Sequence, residues 1–305
     1  MARRWAKRVG IALAAAALPL AGTTYWLFYD NRMPSDGAFP LDLPALRREA
    51  ARVPGPLPVR VEAEVVSHTS VPKIAIVAGT DWGAIDMVRA AYRVSGPVGV
   101  VVIDTGYDEA TARATRAGRY DAAAQARVDR AMARAHAIVV THEHSDHMGG
   151  LIAAARGGRV PANAVLTPEQ LNVGDRSAPL AWPAGARHRA LRYAGLRAVA
   201  PGVVLARAPG HTPGSQMVYV RLAGGRELLF MGDVASHADN VRLGRIRSRY
   251  VTNWRGADDR RAVMLQVQAL GRLARGHPEV ALVPGHDAEA LADLTRRGVI
   301  ERGFR

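Results

Sequence analysis

The chain contains no cysteine, which excludes disulfides, thiolate nucleophiles and cysteine-ligated metal sites. Lysine is almost as scarce, with Lys7 and Lys73 the only two. The 41 basic residues are therefore nearly all arginine, and against 27 acidic residues they leave a formal charge of +14. That balance invites a nucleic-acid reading. The arginines, however, are scattered among alanines, as in 122–135, and build no dense basic stripe. No nucleic-acid partner is expected, and steep salt dependence of DNA or RNA binding would mark the opposite case. A basic surface can still attract anionic substrates or lipid headgroups. There is no internal repeat and no low-complexity tract beyond the Ala-rich helices. At 305 residues, 49% hydrophobic and 22% charged, the chain is globular and long enough to bury a large core.

Arg3, Arg4, Lys7 and Arg8 precede a charge-free run of 21 residues from Val9 to Tyr29. As a helix this run spans about 30 Å, the depth of a bilayer core. Tyr25, Trp26, Phe28 and Tyr29 cluster at its far end, where an aromatic belt would lie. Residues 1–30 are expected to be a membrane anchor. A cleaved signal segment is the rival, since IALAAAALPLAG resembles an apolar signal core, although no A-x-A site ends it. Either reading anchors the chain at the inner membrane facing the periplasm, or exports it. Residues 31–58 carry Pro34, Pro40, Pro44, Pro54, Pro56 and Pro58 and read as a linker or wrapped arm, with one short helix around Leu43 to Arg52.

Residues 59–305 read as one catalytic domain of mixed α/β class. Val59–Val66, Lys73–Ala78 and Val98–Ile103 pattern as strands, and Asp104-Thr105-Gly106 closes the third as a turn. Asp108–Ala135 is Ala-rich and helical. The apolar run Ala137–Val140 is a buried strand, and Gly149-Gly150 opens the next helix. Pro168–Ala200 is poorly ordered in pattern and suits a loop folded over a cleft. Strands are expected at Val203–Ala206, Met217–Leu222, Glu227–Met231 and Val280–Val283, with a Gly224-Gly225 hairpin. Helices are expected at Asp258–Arg275 and Leu291–Ile300.

The densest chemistry is THEHSDHMGG, from Thr141 to Gly150. Four donors in six residues, His142, His144, Asp146 and His147, follow the buried strand. An extended segment puts His142 and His144 on one face, and the turn after them swings Asp146 and His147 to the same side. Imidazole and carboxylate donors so crowded suit a borderline cation such as zinc. Glu143 reads as a spacer. Three later segments repeat one design, an apolar strand, a tight glycine turn and a donor: PGHTPG with His211, GD with Asp233, and PGHD with His286. Seven donors suffice for two cations sharing a carboxylate.

The segments THEHSDH, PGHTPGS, MGDVA and PGHD, in that order, resemble the metallo-β-lactamase superfamily of metallohydrolases over roughly Val59 to Arg297. The resemblance implies an αβ/βα sandwich of two sheets with two metals at one edge. By analogy His142, His144 and His211 hold the first metal, Asp146, His147 and His286 the second, and Asp233 bridges. Asp104, in IDTG, matches a strand-end aspartate that supports the site, and Thr141 is a further candidate support. The implied cofactors are two divalent ions, zinc first, with iron or manganese admissible. Two such cations lower the pKa of a water held between them, so a bridging hydroxide attacks and Asp146 carries its proton to the leaving group.

Departures from subfamily patterns narrow the reaction to hydrolysis of an ester, lactone or thioester in a small molecule. Zinc β-lactamases of the superfamily lack the bridging aspartate that Asp233 supplies here, and flavodiiron members carry an acidic residue where His144 stands. Persulfide dioxygenases use one iron and fewer donors. Many lactonases carry a tyrosine three residues after the bridging aspartate, where this chain has Ser236 and then His237. Asn253, Trp254 and Arg255 are candidate cleft residues. A phosphodiesterase or nuclease on the same fold is the alternative, and a non-catalytic zinc-binding protein is the alternative of another class. A structural zinc needs only four closed ligands, so a hydrolysis screen against a metal-stripped control separates the two.

Overall fold

The computed structural model describes residues 2–172, 180–254 and 258–304. The side chains of 2–4, 6–14, 16 and 254 are also outside that description. The chain begins with helix α1 (Ala2–Phe28) and the short α2 (Leu43–Ala50), the latter where the proline-rich arm is expected to form its one helix. Among the described residues no helix is long and apolar enough to cross a membrane, so the expected anchor gains no support.

The first half then runs β1 (Arg60–Pro72), α3 (Lys73–Ile76), β2 (Ala84–Gly96), β3 (Gly99–Ile103), α4 (Glu109–Ala114) and β4 (Arg119–Tyr120). It continues through α5 (Ala122–Arg134), β5 (Ala137–Val139), α6 (Ser145–Ala154), β6 (Ala164–Val165) and α7 (Pro168–Leu171). The second half holds β7 (Leu196–Ala200), β8 (Val203–Arg207), β9 (Gln216–Arg221), β10 (Glu227–Phe230), α8 (Ala238–Leu243) and α9 (Arg249–Trp254). It closes with α10 (Arg260–Gly276), β11 (Val280–Val283), α11 (Ala288–Arg296) and β12 (Glu301–Arg302).

One sheet has the order β12-β1-β2-β3-β5-β6, with β4 also paired to β1, and the other has the order β11-β10-β9-β8-β7. Their inner faces meet in a core where Val61, Val88, Tyr92, Ile103 and Val139 face Leu205, Val218, Val220, Phe230 and Val283. The Tyr92 and Phe230 rings lie 4.7 Å apart across it. Val128 and Met132 of α5 and Leu151 of α6 cover the outer face of the first sheet, and Leu46 of α2 with Val267 and Leu270 of α10 cover the second. Each sheet is therefore apolar on both faces, as a four-layer sandwich demands. The resulting αβ/βα arrangement is the one the motif order implies.

Several sequence expectations need correction. Lys73–Ala78 is not a strand. β1 and β2 stay paired out to Pro72 opposite Ala84, so 73–83 is their connection and a further strand has no free edge there. Pro72 starts a single helical turn that buries Ile74 and Ile76. The Ala-rich stretch from 108 to 135 is broken rather than continuous. Arg116 (φ +53°) and Gly118 (φ +72°) turn the chain, and a Cβ at Gly118 would sit 2.2 Å from the His68 carbonyl oxygen. Tertiary packing overrides alanine's helix propensity at that point. Gly149 and Gly150 lie inside α6, which starts at Ser145; a Cβ at Gly150 would stand 2.1 Å from the Thr105 carbonyl oxygen. These glycines let α6 press on the 104–107 turn. None of the described residues of Pro168–Ala200 lines the main cleft. Instead Trp182 Nε1 donates to the Gln170 carbonyl and His188 Nε2 bonds the Ala164 carbonyl.

Candidate metal centre

The site forms at one edge of the sandwich, beyond the carboxyl ends of strands from both sheets. β3 ends at Asp104 and β5 runs into Thr141 and His142, while α6 carries Asp146 and His147 in its first turn. The loop after β8 brings His211, the turn after β10 brings Asp233, and the turn after β11 brings His286. All seven sequence-predicted donors converge. Three overlapping groups, His142/His144/His211, His142/His147/Asp233 and Asp146/His147/His286, each have ligand atoms within 4.8 Å of one another. His144 Nδ1 stands 3.0 Å from His211 Nε2, and His147 Nε2 stands 3.3 Å from His286 Nε2. Asp233 lies between them, with Oδ2 3.6 Å from His211 Nε2 and Oδ1 2.9 Å from His286 Nε2.

The residues fit a pair of cations. His142 Nε2 is buried without a hydrogen-bond partner, and Asp233 Oδ1, despite its nearness to His286, has none of hydrogen-bonding geometry. Burying such atoms unpaired is costly unless something else binds them. Five imidazoles and two carboxylates make a nitrogen and oxygen donor set of the kind zinc, iron or manganese accepts.

Four of the five imidazoles, those of His142, His147, His211 and His286, are aimed by a bond to the other nitrogen, as is common for metal-binding histidines. Asp104 holds the Ile103–Asp104 turn at φ +59° and accepts from Thr141 N (2.7 Å), Thr141 Oγ1 (3.0 Å) and His147 Nδ1 (2.9 Å). Thr141 Oγ1 also lies 3.1 Å from His142 Nδ1. Both supports expected from the sequence, Asp104 and Thr141, thus touch the cluster. His286 Nδ1 donates to the Val88 carbonyl at 2.8 Å. His211 Nδ1 lies 3.2 Å from Asp258 Oδ1, and the Arg247 guanidinium packs against both, 2.8 Å from Asp258 Oδ2 and 3.3 Å from Asp233 Oδ2. Sequence reasoning missed Asp258 and Arg247, since neither sits in a motif; the one signal is an Asp pair at the start of α10.

Glu143 is a second miss. It is buried rather than a spacer, and its carboxylate accepts from Thr212 Oγ1 (2.7 Å) and Gly214 N (2.9 Å). It staples the loop that carries His211. His237 is likewise buried; its Nδ1 accepts from Asp239 N at 3.1 Å to start α8, and it lines no part of the cleft. Asn253 is exposed and lines no part of it either, while Arg255 and the side chain of Trp254 lie outside the described residues.

Charges in this cluster pull in opposite directions. Burial lowers His142 well below the ordinary histidine range, and its imidazole neighbours add to that. Burial and Arg247 take His211 down to about 4 against the pull of Asp258. For His147 burial also acts downward, but Asp104, Asp146 and Asp233 overcome it and hold the group at about 9. Burial acts upward on Asp146 and Asp233, yet the facing histidines hold both carboxyls well below their usual range. Such crowding of shifted groups in one cleft marks a functional site.

The model of the Metallo-beta-lactamase superfamily matches residues 86–286. No curated protein sequence matches the chain. Among solved structures, an N-acyl homoserine lactone hydrolase with the product N-hexanoyl-L-homoserine at its catalytic metal centre is similar with a TM-score of 0.61 and 17% identity. That match covers 78% of this chain and 96% of that one. AidC, a dizinc quorum-quenching lactonase, has a TM-score of 0.53 and 16% identity, covering 76% and 89% of the two chains. A probable metal-dependent hydrolase from Staphylococcus aureus has a TM-score of 0.53 and 12% identity, covering 75% and 90%. With all seven donors of the motif set gathered at the sandwich edge, the chain belongs to the metallo-β-lactamase superfamily and is a metal-dependent hydrolase.

Proposed function

We propose that the chain is a two-metal hydrolase that opens an ester, lactone or thioester in a small molecule. The observation that carries this reading is the placement of Asp233, whose two carboxylate oxygens face the two histidine groups separately. His142, His144 and His211 would hold one ion, Asp146, His147 and His286 the other, and Asp233 both. When bound, a pair of divalent cations supplies Lewis acidity and acidifies a water.

The chain's own residues do the rest. Asp146 lines the cleft and is 22% exposed, whereas His147, His286 and Asp233 are nearly sealed, so Asp146 can reach both a reacting water and a leaving group. Arg89 Nε lies 3.3 Å from Asp146 Oδ2 and keeps that carboxylate turned into the site. Ser236 takes the position where many lactonases carry tyrosine. It is 2% exposed, it lines the cleft and its Oγ has no hydrogen-bond partner, so it is free to donate to a substrate carbonyl oxygen. Such a donor strengthens as charge builds on that oxygen.

The test is a panel of lactones, thioesters, β-lactams and phosphodiesters, assayed with the chain loaded with zinc, iron or manganese and with a metal-stripped control. Turnover of an ester or lactone that vanishes on stripping is the expected result. Turnover of phosphodiesters alone moves the chain to the nuclease-like alternative. Two bound ions with no turnover of any kind leaves a metal-binding protein. Export to the periplasm, supported by the basic start and the apolar run at 9–29, is a separate proposal that cell fractionation checks.

A further inference from the structure

Four of the seven metal donors line a cleft of about 750 Å³. His144, Asp146, Asp233 and His286 supply its donors, and Phe28, Val71, Ile74, Trp82, Met87 and Tyr250 of the same lining form an apolar arm. The Phe28 ring lies 4.8 Å from Trp82 and 5.3 Å from Tyr250, so three aromatic side chains form one cluster at the mouth. Trp82 is 54% exposed and Tyr250 46% exposed, which leaves much of two large ring surfaces facing water. The end of α1 is docked firmly enough to serve as a wall. The Phe28 carbonyl accepts from Gly79 N at 2.8 Å, and Asp30 Oδ2 accepts from Arg249 at 2.8 and 3.1 Å. Arg249 also lies 5.2 Å over the Trp26 ring.

Four of the six apolar arm residues, Phe28, Val71, Ile74 and Trp82, precede residues 86–286, the part matched by the superfamily model. The metal donors thus come from the matched stretch, and most of the arm from residues before it, the end of α1 and the tip of the β1–β2 hairpin. Resting on the hydrolase reading above, we infer that the substrate carries an aliphatic chain that lies along this arm, with the end of α1 as one wall, so that α1 and the tip of the β1–β2 hairpin set specificity. An apolar chain laid on Trp82 and Tyr250 removes ring and methylene surface from water together. The gain is about three- to fourfold in affinity per buried methylene.

The experiment uses the full chain, metal-loaded, with p-nitrophenyl esters from acetate to decanoate, and separately measures binding of decanoate and acetate by calorimetry. The decanoate-to-acetate ratio of kcat/KM should exceed about tenfold for the wild type. Phe28→Ala and Trp82→Ala should each cut that ratio at least several-fold while Phe28→Leu largely keeps it. Unchanged thermal melts show that the variants are folded. A ratio that stays the same in Phe28→Ala and Trp82→Ala overturns the inference. If no ester is cleaved at all, the hydrolase reading fails while the arm is still judged by binding. Decanoate bound tightly by the wild type and weakly by both variants supports it, and equal binding of decanoate and acetate overturns it.

Discussion

Two distant histidines complete the metal centre, and they are held in opposite ways. His286 is fixed by the main chain: its Nδ1 donates to the Val88 carbonyl, Val88 N donates to its own carbonyl at 2.7 Å, and its N donates to the Ser236 carbonyl at 3.0 Å. His211 is fixed by side chains. Asp258 takes its Nδ1, Arg247 locks Asp258, and Glu143 staples the loop around it. A backbone carbonyl is present whatever residue supplies it, so the His286 side tolerates substitution of its holder. The His211 side depends on three ionisable residues that substitution can delete. Of these two histidines, His286 is held robustly and His211 adjustably.

The largest expected effect removes the residue common to both halves. Asp233→Ala should lose bound metal on both sides and lower kcat/KM by about a thousandfold or more, as loss of a group that both orients metal and stabilises developing charge does. Metal quantified per chain beside the rate decides it; two tightly bound ions in Asp233→Ala would break the bridging assignment. Next come the holders. Asp258→Ala should weaken one ion by about ten- to a hundredfold and leave the other nearly unchanged, and Asp104→Ala should do the same on the His147 side. Val88→Ala, which keeps its carbonyl, should move metal affinity by less than about threefold even though it trims a buried side chain. A Val88→Ala loss as large as that of Asp258→Ala would erase the contrast between the two histidines.

That contrast also explains how much was legible in the sequence. His142, His144, Asp146 and His147 share six residues, and their strand-to-helix context makes the cluster readable without coordinates. His211, Asp233 and His286 were readable because each repeats a strand, a glycine turn and a donor. Asp104 was readable only through the resemblance of its IDTG segment to the family's strand-end aspartate. Asp258 and Glu143 were not, because their roles follow from what the fold sets opposite them. Asp258 meets His211 across 47 positions, and Glu143 meets Thr212 across 69. The sandwich was legible only through the family resemblance, since the apolar runs by themselves give no more than mixed strands and helices; β2 (Ala84–Gly96) went unread beside the strand expected at Lys73–Ala78, and α4, β4 and α5 read as one helix because alanine speaks for helix regardless of context. The apolar arm was hidden for the same reason: Phe28 and Trp82 meet only in three dimensions.

Glu143 offers a smaller and sharper test. Glu143→Ala strands Gly214 N in a buried loop and leaves Thr212 Oγ1 with Ser215 Oγ alone, at a cost of about 1–3 kcal/mol for the unpaired buried donor. The melting temperature should fall by several degrees, and the affinity for the ion beside His211 should fall with it, while the ion beside His286 stays tight. Glu143→Gln, which keeps one acceptor, should recover part of both losses. Equal weakening of the two ions by Glu143→Ala would mean that the staple serves the whole site.

The smallest effect comes from an ion pair that serves neither histidine. Asp239, at the start of α8, accepts from Arg242 Nε and from Lys73 Nζ, both at 2.6 Å, so one of the chain's two lysines ties α8 to the wall of the cleft. The Arg242 hydrogen bond and then that of Lys73 outweigh burial and hold the Asp239 carboxyl at about 2, below its ordinary value of 3.8. A carboxyl lowered in the folded state stabilises the fold fully above its unfolded value and loses that contribution as the pH drops through 3.8 towards 2. Because Arg242 is largely exposed, solvent screening reduces the contribution to about 1 kcal/mol. Asp239→Asn should therefore lower the melting temperature by about 2–4 °C near neutral pH, with the gap to the wild type narrowing as pH is taken down towards 2. Metal affinity should be unchanged in the same variant. A shift in either ion's affinity on Asp239→Asn would show that α8 reaches the metals through the Asp233–Ser236 segment, and the contrast between the holders of His286 and His211 would then need a third support.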